Sequence, residues 1–186
     1  MSGGKRTTGH KYQPPKTIIM NMNYNRVFQV NNVLVNIPLS MEGRKLPGKT
    51  AASVMLLRVA YGKKVNEFET DMQEVVKGLK KEGFDERVRR YSLPEDDKER
   101  MADEQQRKDF EAERKELEDA YLEARKRKAE EKVEMKCGTL TRDELADLYE
   151  VVGTEGVMMM SVPYADKPIE VGREGFLQMV AELLVE

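Results

Sequence analysis

The sequence is poor in the residue types that most often build disulfides, metal sites and catalytic centres. Its 186 residues include one cysteine, one histidine and no tryptophan. Because Cys137 has no second cysteine to pair with, an intrachain disulfide is excluded, which is typical of a reducing, intracellular compartment. A zinc site needs more Cys and His ligands than one of each, and His10 lies in a polar N-terminal segment. We therefore expect no cofactor, no metal ion and no catalytic constellation, and hence a non-enzymatic protein.

Long apolar runs are also missing. No run approaches the roughly 20 residues that a membrane-spanning helix needs. The N-terminal segment MSGGKRTTGHKYQPPK is polar and basic and lacks the apolar core of a signal peptide. These features predict an intracellular, cytoplasmic protein that makes no contact with a membrane.

Charge, in contrast, is abundant and unevenly distributed along the chain. Charged residues make up 35% of the sequence, although the net charge is only −2. Residues 1–94 contain 17 Lys and Arg against 8 Asp and Glu, whereas residues 95–186 contain 15 against 26. This polarity favours head-to-tail association, or contact between the basic end and a nucleic acid. The simpler alternative is that the charges only solvate each helix.

The first 16 residues are predicted to form a flexible basic arm that becomes ordered only on binding. Candidate basic contacts in this arm are Lys5, Arg6, Lys11 and Lys16. If the arm binds nucleic acid, its affinity should fall steeply with salt. We keep this as a weaker alternative to a protein partner.

Residues 17–41 show an alternating pattern. Met20, Met22 and Tyr24 alternate with asparagines, and Asn31-Asn32 can form a two-residue turn because asparagine tolerates positive φ. The sequence therefore predicts short strands or a hairpin in this segment, closed by Pro38.

The strongest pattern is an apolar residue at every third or fourth position between residues 54 and 79. Its members are Val54, Leu57, Tyr61, Val65, Phe68, Met72, Val75 and Leu79. This spacing predicts an amphipathic helix of roughly 30 residues, with Thr50 as its N-cap and Gly83 as its stop. A short basic helix follows, so that the two together cover residues 48–91. Because such a helix is longer than a small domain, the apolar stripe must face another long helix, either the chain's own or a partner's. The stripe is therefore our candidate contact surface.

Residues 92–136 are predicted to form one highly charged helix. Ser92 and Glu95 have the spacing of a capping box at its start. Its thin apolar seam suits antiparallel packing along the preceding long helix, although an exposed charged helix or linker is an equal alternative.

Residues 138–186 are predicted to form a small helix–strand–helix cap. Thr141 and Glu144 form a capping box at the first helix, and Gly153 should end it. An apolar run at residues 157–162 predicts the strand, and an amphipathic stretch near the end of the chain predicts the last helix. The expected fold class is mainly α with a small β component.

One segment matches a nucleotide-binding motif in full. Gly43, Gly48, Lys49 and Thr50 satisfy G-x-x-x-x-G-K-[ST], in which backbone amides surround phosphates and the lysine and hydroxyl contact phosphate and Mg²⁺. However, Pro47 removes an amide from the loop, and the parallel strands that this fold needs are not predicted. A Pro-Gly turn followed by a helix start accounts for the same residues of this segment, so nucleotide binding is a minor alternative.

The order of features between residues 46 and 150 resembles small uncharacterised proteins encoded by tailed bacteriophages. The resemblance is carried by the helix LPGKTAASVMLLRVAYGKKVNEFETDMQEVVKGLKK and by the charged stretch FEAERKELEDAYLEARKRKAEEKVEM. It implies a virion-associated protein and identifies no catalytic residue in this sequence. We expect a structural or assembly protein that binds a protein partner or itself through the long helix. The alternative is a monomeric intracellular protein that modulates a host or cellular target.

Overall fold

The computed structural model describes residues 18–94, 96–97, 100, 103–163 and 165–185. The helices in this part of the chain are α1 (Tyr24–Asn36), α2 (Gly48–Leu79), α3 (Phe84–Tyr91), α4 (Glu104–Glu130), α5 (Arg142–Val152) and α6 (Arg173–Leu184). The strands are β1 (Ile18–Asn23), β2 (Ser40–Met41), β3 (Arg44–Lys45), β4 (Lys132–Cys137), β5 (Val157–Met160) and β6 (Ile169–Gly172). They form three two-stranded sheets, β1–β4, β2–β3 and β5–β6. The predicted fold class, mainly α with a small β component, is confirmed.

The chain divides into two compact units. Of the described residues, unit 1 contains 18–20, 33–60 and 135–185, and unit 2 contains 21–32 and the described part of 61–134. The helices α1 and α2 each supply residues to both units.

The predicted basic arm lies outside the described residues, so the role of Lys5, Arg6, Lys11 and Lys16 stays a prediction.

Unit 1 has a core to which helices from both ends of the chain contribute. Its most buried apolar side chains include Val33, Leu34, Ile37, Val54, Leu57, Leu148, Val152, Phe176, Leu177 and Val180. The predicted capping box starts α5, since the Thr141 hydroxyl accepts from the Glu144 amide and the Glu144 carboxylate accepts from the Thr141 amide. Gly153, with φ of 71°, ends α5 as predicted. The sheet of β5 and β6 completes the unit, and β6 is a strand that the sequence pattern did not predict.

Unit 2 is a helical assembly held by aromatic rings and ion pairs. The Phe68 ring lies 5.0 Å from Tyr24 and 4.8 Å from Phe28, measured between ring centroids. Glu69 on α2 pairs with Arg125, whereas Lys81, just after α2, pairs with Glu116. Asp71 on α2 pairs with Lys128, so the contacts near residue 70 involve the end of α4 and the contact after α2 involves its middle. The two helices therefore run antiparallel, which confirms the predicted pairing of the long helix with the charged helix.

The prediction of strands or a hairpin across residues 17–41 is wrong for residues 24–36, which lie between β1 and β2. Residues 24–36 form α1, and Asn31-Asn32 lie inside this helix. The asparagine that matters is Asn23, whose side-chain oxygen accepts a hydrogen bond from the Arg26 amide at 3.0 Å and so caps the helix. Apolar residues at helical spacing provide the buried face of α1: Tyr24, Val27, Val30 and Leu34. Burial of this face stabilises the helix by more than the strand preference that the short alternating pattern indicates.

Three predicted helix boundaries are also wrong. Helix α2 begins at Gly48, so Thr50 lies in its first turn rather than at its N-cap. It ends at Leu79, and Gly83, in a left-handed conformation, precedes α3 instead. Ser92 ends α3, and the charged helix starts only at Glu104, where Asp103 accepts from the Gln106 amide at 2.9 Å. The other residue of the predicted capping box, Glu95, lies outside the described residues.

The predicted charged helix also ends earlier than expected. Residues 132–137 form β4 instead of the last turn of the helix. In this segment Val133, Met135 and Cys137 alternate with charged residues, and Met135 and Cys137 are buried. A period of two places these three side chains on one face of a strand, which a helix cannot do.

Candidate interaction surface

The predicted contact stripe of α2 is mostly interior. Val54, Leu57, Tyr61, Phe68 and Met72 are at most 4% exposed, and Val65, Val75 and Leu79 are half-buried. These side chains belong to the cores of the two units rather than to a free surface. The interpretation of the stripe as a contact surface for a partner is therefore wrong for its five buried members, because the chain's own elements cover them.

The surface of α2 that remains apolar and exposed is a different one. Residues 51–60 read AASVMLLRVA, so this part of the helix is apolar on nearly every side. Leu56 is 55% exposed and Val59 is 68% exposed, and Met55 beside them is about half exposed. A helix segment that is apolar all round is usually buried all round. Here only the side that carries Val54 and Leu57 is buried.

Arg58 connects this surface to the end of α1. Its guanidinium donates to the main-chain oxygens of Leu34 at 2.8 Å and Val35 at 3.5 Å, and one of its nitrogens lies 3.8 Å from the Met55 sulfur. A cation at carbonyls that a helix end leaves unpaired is stabilising. Burial of the guanidinium lowers the pKa of Arg58 from its ordinary value. Val35, which is itself half exposed, and Met55 thus both contact Arg58. We call Val35, Met55, Leu56 and Val59 the outer face.

Two hydroxyl groups orient α2 against α5 within unit 1. Ser53 donates to the Glu144 carboxylate at 2.6 Å, and Thr50 donates to Asp147 in a short hydrogen bond. The donors are three residues apart on α2, and the acceptors are three residues apart on α5. Both pairs therefore lie on facing helix sides. They fix the rotation of α2 about its axis, which turns Leu56 outward. The matched spacing of hydroxyls and carboxylates was present in the sequence and was not used in the prediction.

The P-loop-like segment does not form a single loop. Met41 pairs with Arg44 and Ser40 with Lys45, so Glu42 and Gly43 are the two central residues of a hairpin turn. Their φ angles of 51° and 81° are those of the primed turns that suit such hairpins. Strand β3 therefore separates Gly43 from Gly48, which is the first residue of α2. Lys49 is exposed in the first turn of α2, and the Thr50 hydroxyl is occupied by Asp147. This geometry is a hairpin followed by a helix start.

An ionic cluster attaches the same hairpin to α5. Glu42 accepts hydrogen bonds from Arg173 and from Arg44, the latter at 3.3 Å. The hydrogen bond from Arg173 holds the pKa of the Glu42 carboxyl below its ordinary value. Arg44 also donates to the Glu150 oxygen at 2.7 Å, and Arg173 donates to the Val152 oxygen at 3.2 Å. The two arginines thus cover carbonyls at the end of α5, where cations are favourable.

The described residues contain neither a grouping of metal ligands nor a membrane-spanning helix. Within them, no three His, Cys, Asp or Glu side chains are grouped so that they could hold a metal ion. None of the helices in the described part of the chain combines the length and apolar character needed to cross a bilayer. Comparison with known proteins finds no matching family model, no similar curated protein and no similar solved structure.

Proposed function

We propose that this protein is a non-enzymatic assembly protein whose copies associate through the outer face of α2. The observation that carries the proposal is the exposure of Leu56 and Val59 in a helix segment that is apolar on nearly every side. Charged residues make up 35% of the chain, so solvating side chains are plentiful. An apolar cluster at this position favours a surface that is covered when the protein is assembled.

The energetics favour a weak, concentration-dependent contact. Fully burying one Val, Leu or Met side chain contributes roughly 1.5–3 kcal/mol, and the four residues of the outer face are about half exposed or more. Association costs an estimated 4–15 kcal/mol in lost translational and rotational freedom. The outer face alone therefore supports reversible association that grows with protein concentration, and a second contact is needed for a permanent complex.

The resemblance to small proteins of tailed bacteriophages supports a setting for this assembly. In that setting the protein would be a component of the virion, or an assembly factor in the cytoplasm of the infected cell. The resemblance spans residues 46–150, and α2, which lies within that range, carries Met55, Leu56 and Val59 of the outer face.

Light scattering after size exclusion, over a wide range of protein concentrations, tests the proposal. We expect the mean mass of the unmodified protein to rise with concentration, and we expect Leu56→Glu to remain a monomer. The matched control is Leu122→Glu on α4, because Leu122 is 53% exposed and Leu56 is 55% exposed. This control should associate like the unmodified protein.

Two results would contradict the proposal. The first is a monomer at every concentration, which would favour the alternative of a monomeric protein that binds a different target. The second is equal loss of association in Leu56→Glu and Leu122→Glu, since an effect common to both positions would arise from added charge and not from the outer face.

A further inference from the structure

A second apolar face is exposed in unit 1, on the sheet of β5 and β6. The side chains of Met158 and Met160 are buried, whereas Val157 is 53% exposed and Met159 is 56% exposed. Successive residues of a strand point to opposite sides of the sheet, so β5 is apolar on both sides. Strands of this kind are typical of sheets that are covered on both faces. In the described residues, the side of β5 that carries Met158 and Met160 is buried, and the side that carries Val157 and Met159 is not.

The cross-strand register identifies what surrounds these exposed residues. Val157 lies opposite Gly172, and Met159 lies opposite Glu170. Residues directly opposite each other share one face of the sheet. Since Gly172 has no side chain and Glu170 is exposed, the face consists of Val157 and Met159 with an acidic neighbour. We call these three exposed side chains, Val157, Met159 and Glu170, the sheet face.

The outer face of α2 and the sheet face lie in segments of opposite charge. Residues 33–60 contain four Lys and Arg against one Asp or Glu. Residues 135–186 contain four against ten. Lys49 is exposed on α2, seven residues before Leu56 and therefore on the same side of the helix. Lys49 beside the outer face and Glu170 on the sheet face thus carry opposite charges, and both faces have an apolar centre.

From this complementarity we propose that the sheet face of one copy is the surface that binds the outer face of α2 in the next copy. The inference depends on the proposed function, because it names the second half of that contact. A contact between two outer faces would bring like charges together, which is unfavourable. A contact between two different surfaces is head-to-tail, and each copy then keeps one open surface of each kind. Repeated addition produces a ring or an open chain of copies.

Two complementary variants test this arrangement directly. Val59→Asp disables the outer face and leaves the sheet face intact, whereas Met159→Asp disables the sheet face and leaves the outer face intact. Both substitutions add a negative charge, so the two disabled surfaces repel each other in a mixture. Each variant alone should be a monomer, because neither sample contains both working surfaces. An equimolar mixture should form a dimer of one copy of each, with twice the mass of the 21.4 kDa chain, and should not grow further.

The controls separate a lost contact from a lost fold. Both positions are exposed, so the circular dichroism spectrum and the thermal midpoint of each variant should match those of the unmodified protein. If one variant does not fold, Met55→Asp replaces Val59→Asp and Val157→Asp replaces Met159→Asp, because these residues belong to the same two faces.

The outcomes distinguish the inference from the proposed function. If Met159→Asp associates like the unmodified protein while Val59→Asp is a monomer, head-to-tail binding is overturned but assembly through α2 stands. A mixture of the two variants that remains monomeric also overturns head-to-tail binding. If the unmodified protein never associates, both ideas fail together. A dimer that appears only in the mixture supports both.

Discussion

The hydroxyl of Ser53 on α2 donates a hydrogen bond of 2.6 Å to the Glu144 carboxylate, which is buried on α5. Glu144 also accepts from the amide and the hydroxyl of Thr141, at 2.8 and 3.1 Å. One carboxylate therefore caps α5 and holds α2 at the same time. This double role determines which side of α2 faces the core of unit 1, and so which apolar residues are left outside.

Replacing Ser53 with alanine should destabilise unit 1. The substitution removes a donor from a buried carboxylate, and leaving such a group incompletely bonded costs roughly 1–3 kcal/mol. Urea denaturation followed by circular dichroism measures the change. The control is Ser92→Ala, because Ser92 is exposed and its hydroxyl bonds within its own helix, to the Val88 oxygen at 2.9 Å. An equal effect of the two substitutions would show that the contact with Glu144 has no special importance.

Replacing Phe68 with alanine should reduce stability without changing how the protein assembles. Phe68 is fully buried and packs against Tyr24 and Phe28, and a substitution of this kind in a core costs roughly 3–5 kcal/mol. Denaturant unfolding measures the loss, and Leu122→Ala is the exposed control, with an expected effect within about 0.5 kcal/mol. Under conditions where the variant is folded, light scattering should give the mass of the unmodified protein. A folded Phe68→Ala variant that is a monomer would instead show that the α2 stripe is the contact surface between copies.

The pairing of Glu42 with Arg173 should make stability depend on pH in the acidic range. The hydrogen bond from Arg173 lowers the pKa of the Glu42 carboxyl below its ordinary value of 4.5. A lowered carboxyl pKa in the folded state stabilises the protein above pH 4.5, and the effect disappears as the pH falls through the folded-state pKa. Glu42→Gln should therefore be less stable than the unmodified protein near neutral pH, and the difference should shrink as the pH falls below 4.5.

Urea titrations at several pH values check the Glu42 prediction. Glu118→Gln, an exposed glutamate on α4, is the control and should give no difference that shrinks in the same range. A gap between Glu42→Gln and the unmodified protein that stays constant from neutral to acid pH would show that the ionised pair with Arg173 does not stabilise the fold.

Local signals predicted the helices whose determinants lie close together in sequence. The capping box of Thr141 and Glu144 starts α5 because both partners are within one helical turn. The apolar repeat of α2 predicted a helix of roughly 30 residues, and the structure has 32. The alternating and helical patterns adjoin between residues 20 and 37, and there the prediction failed for α1. A short pattern of period two was extended across residues whose burial follows a period near 3.6.

The candidate surface could not be predicted from the same signals. The pattern identified the side of α2 with the regular apolar stripe and assigned it to a partner, whereas the chain buries most of that stripe itself. Because residues 51–60 are apolar on nearly every side, periodicity alone cannot say which side of this part of the helix is covered. The hydroxyl contacts of Thr50 and Ser53 with α5 determine that choice, and the donors and acceptors are more than 90 residues apart in the chain.

The sequence by itself thus determined the helical content, the long α2 helix, the capped start of α5 and the opposed charge of the two chain halves. These properties depend on residue types within a few positions of one another, or on composition. Only the tertiary structure decided that Leu56 and Val59 lie outside while Val54 and Leu57 lie inside. Exposure is a property of what packs against a residue, and in this protein the packing elements come from distant parts of the chain.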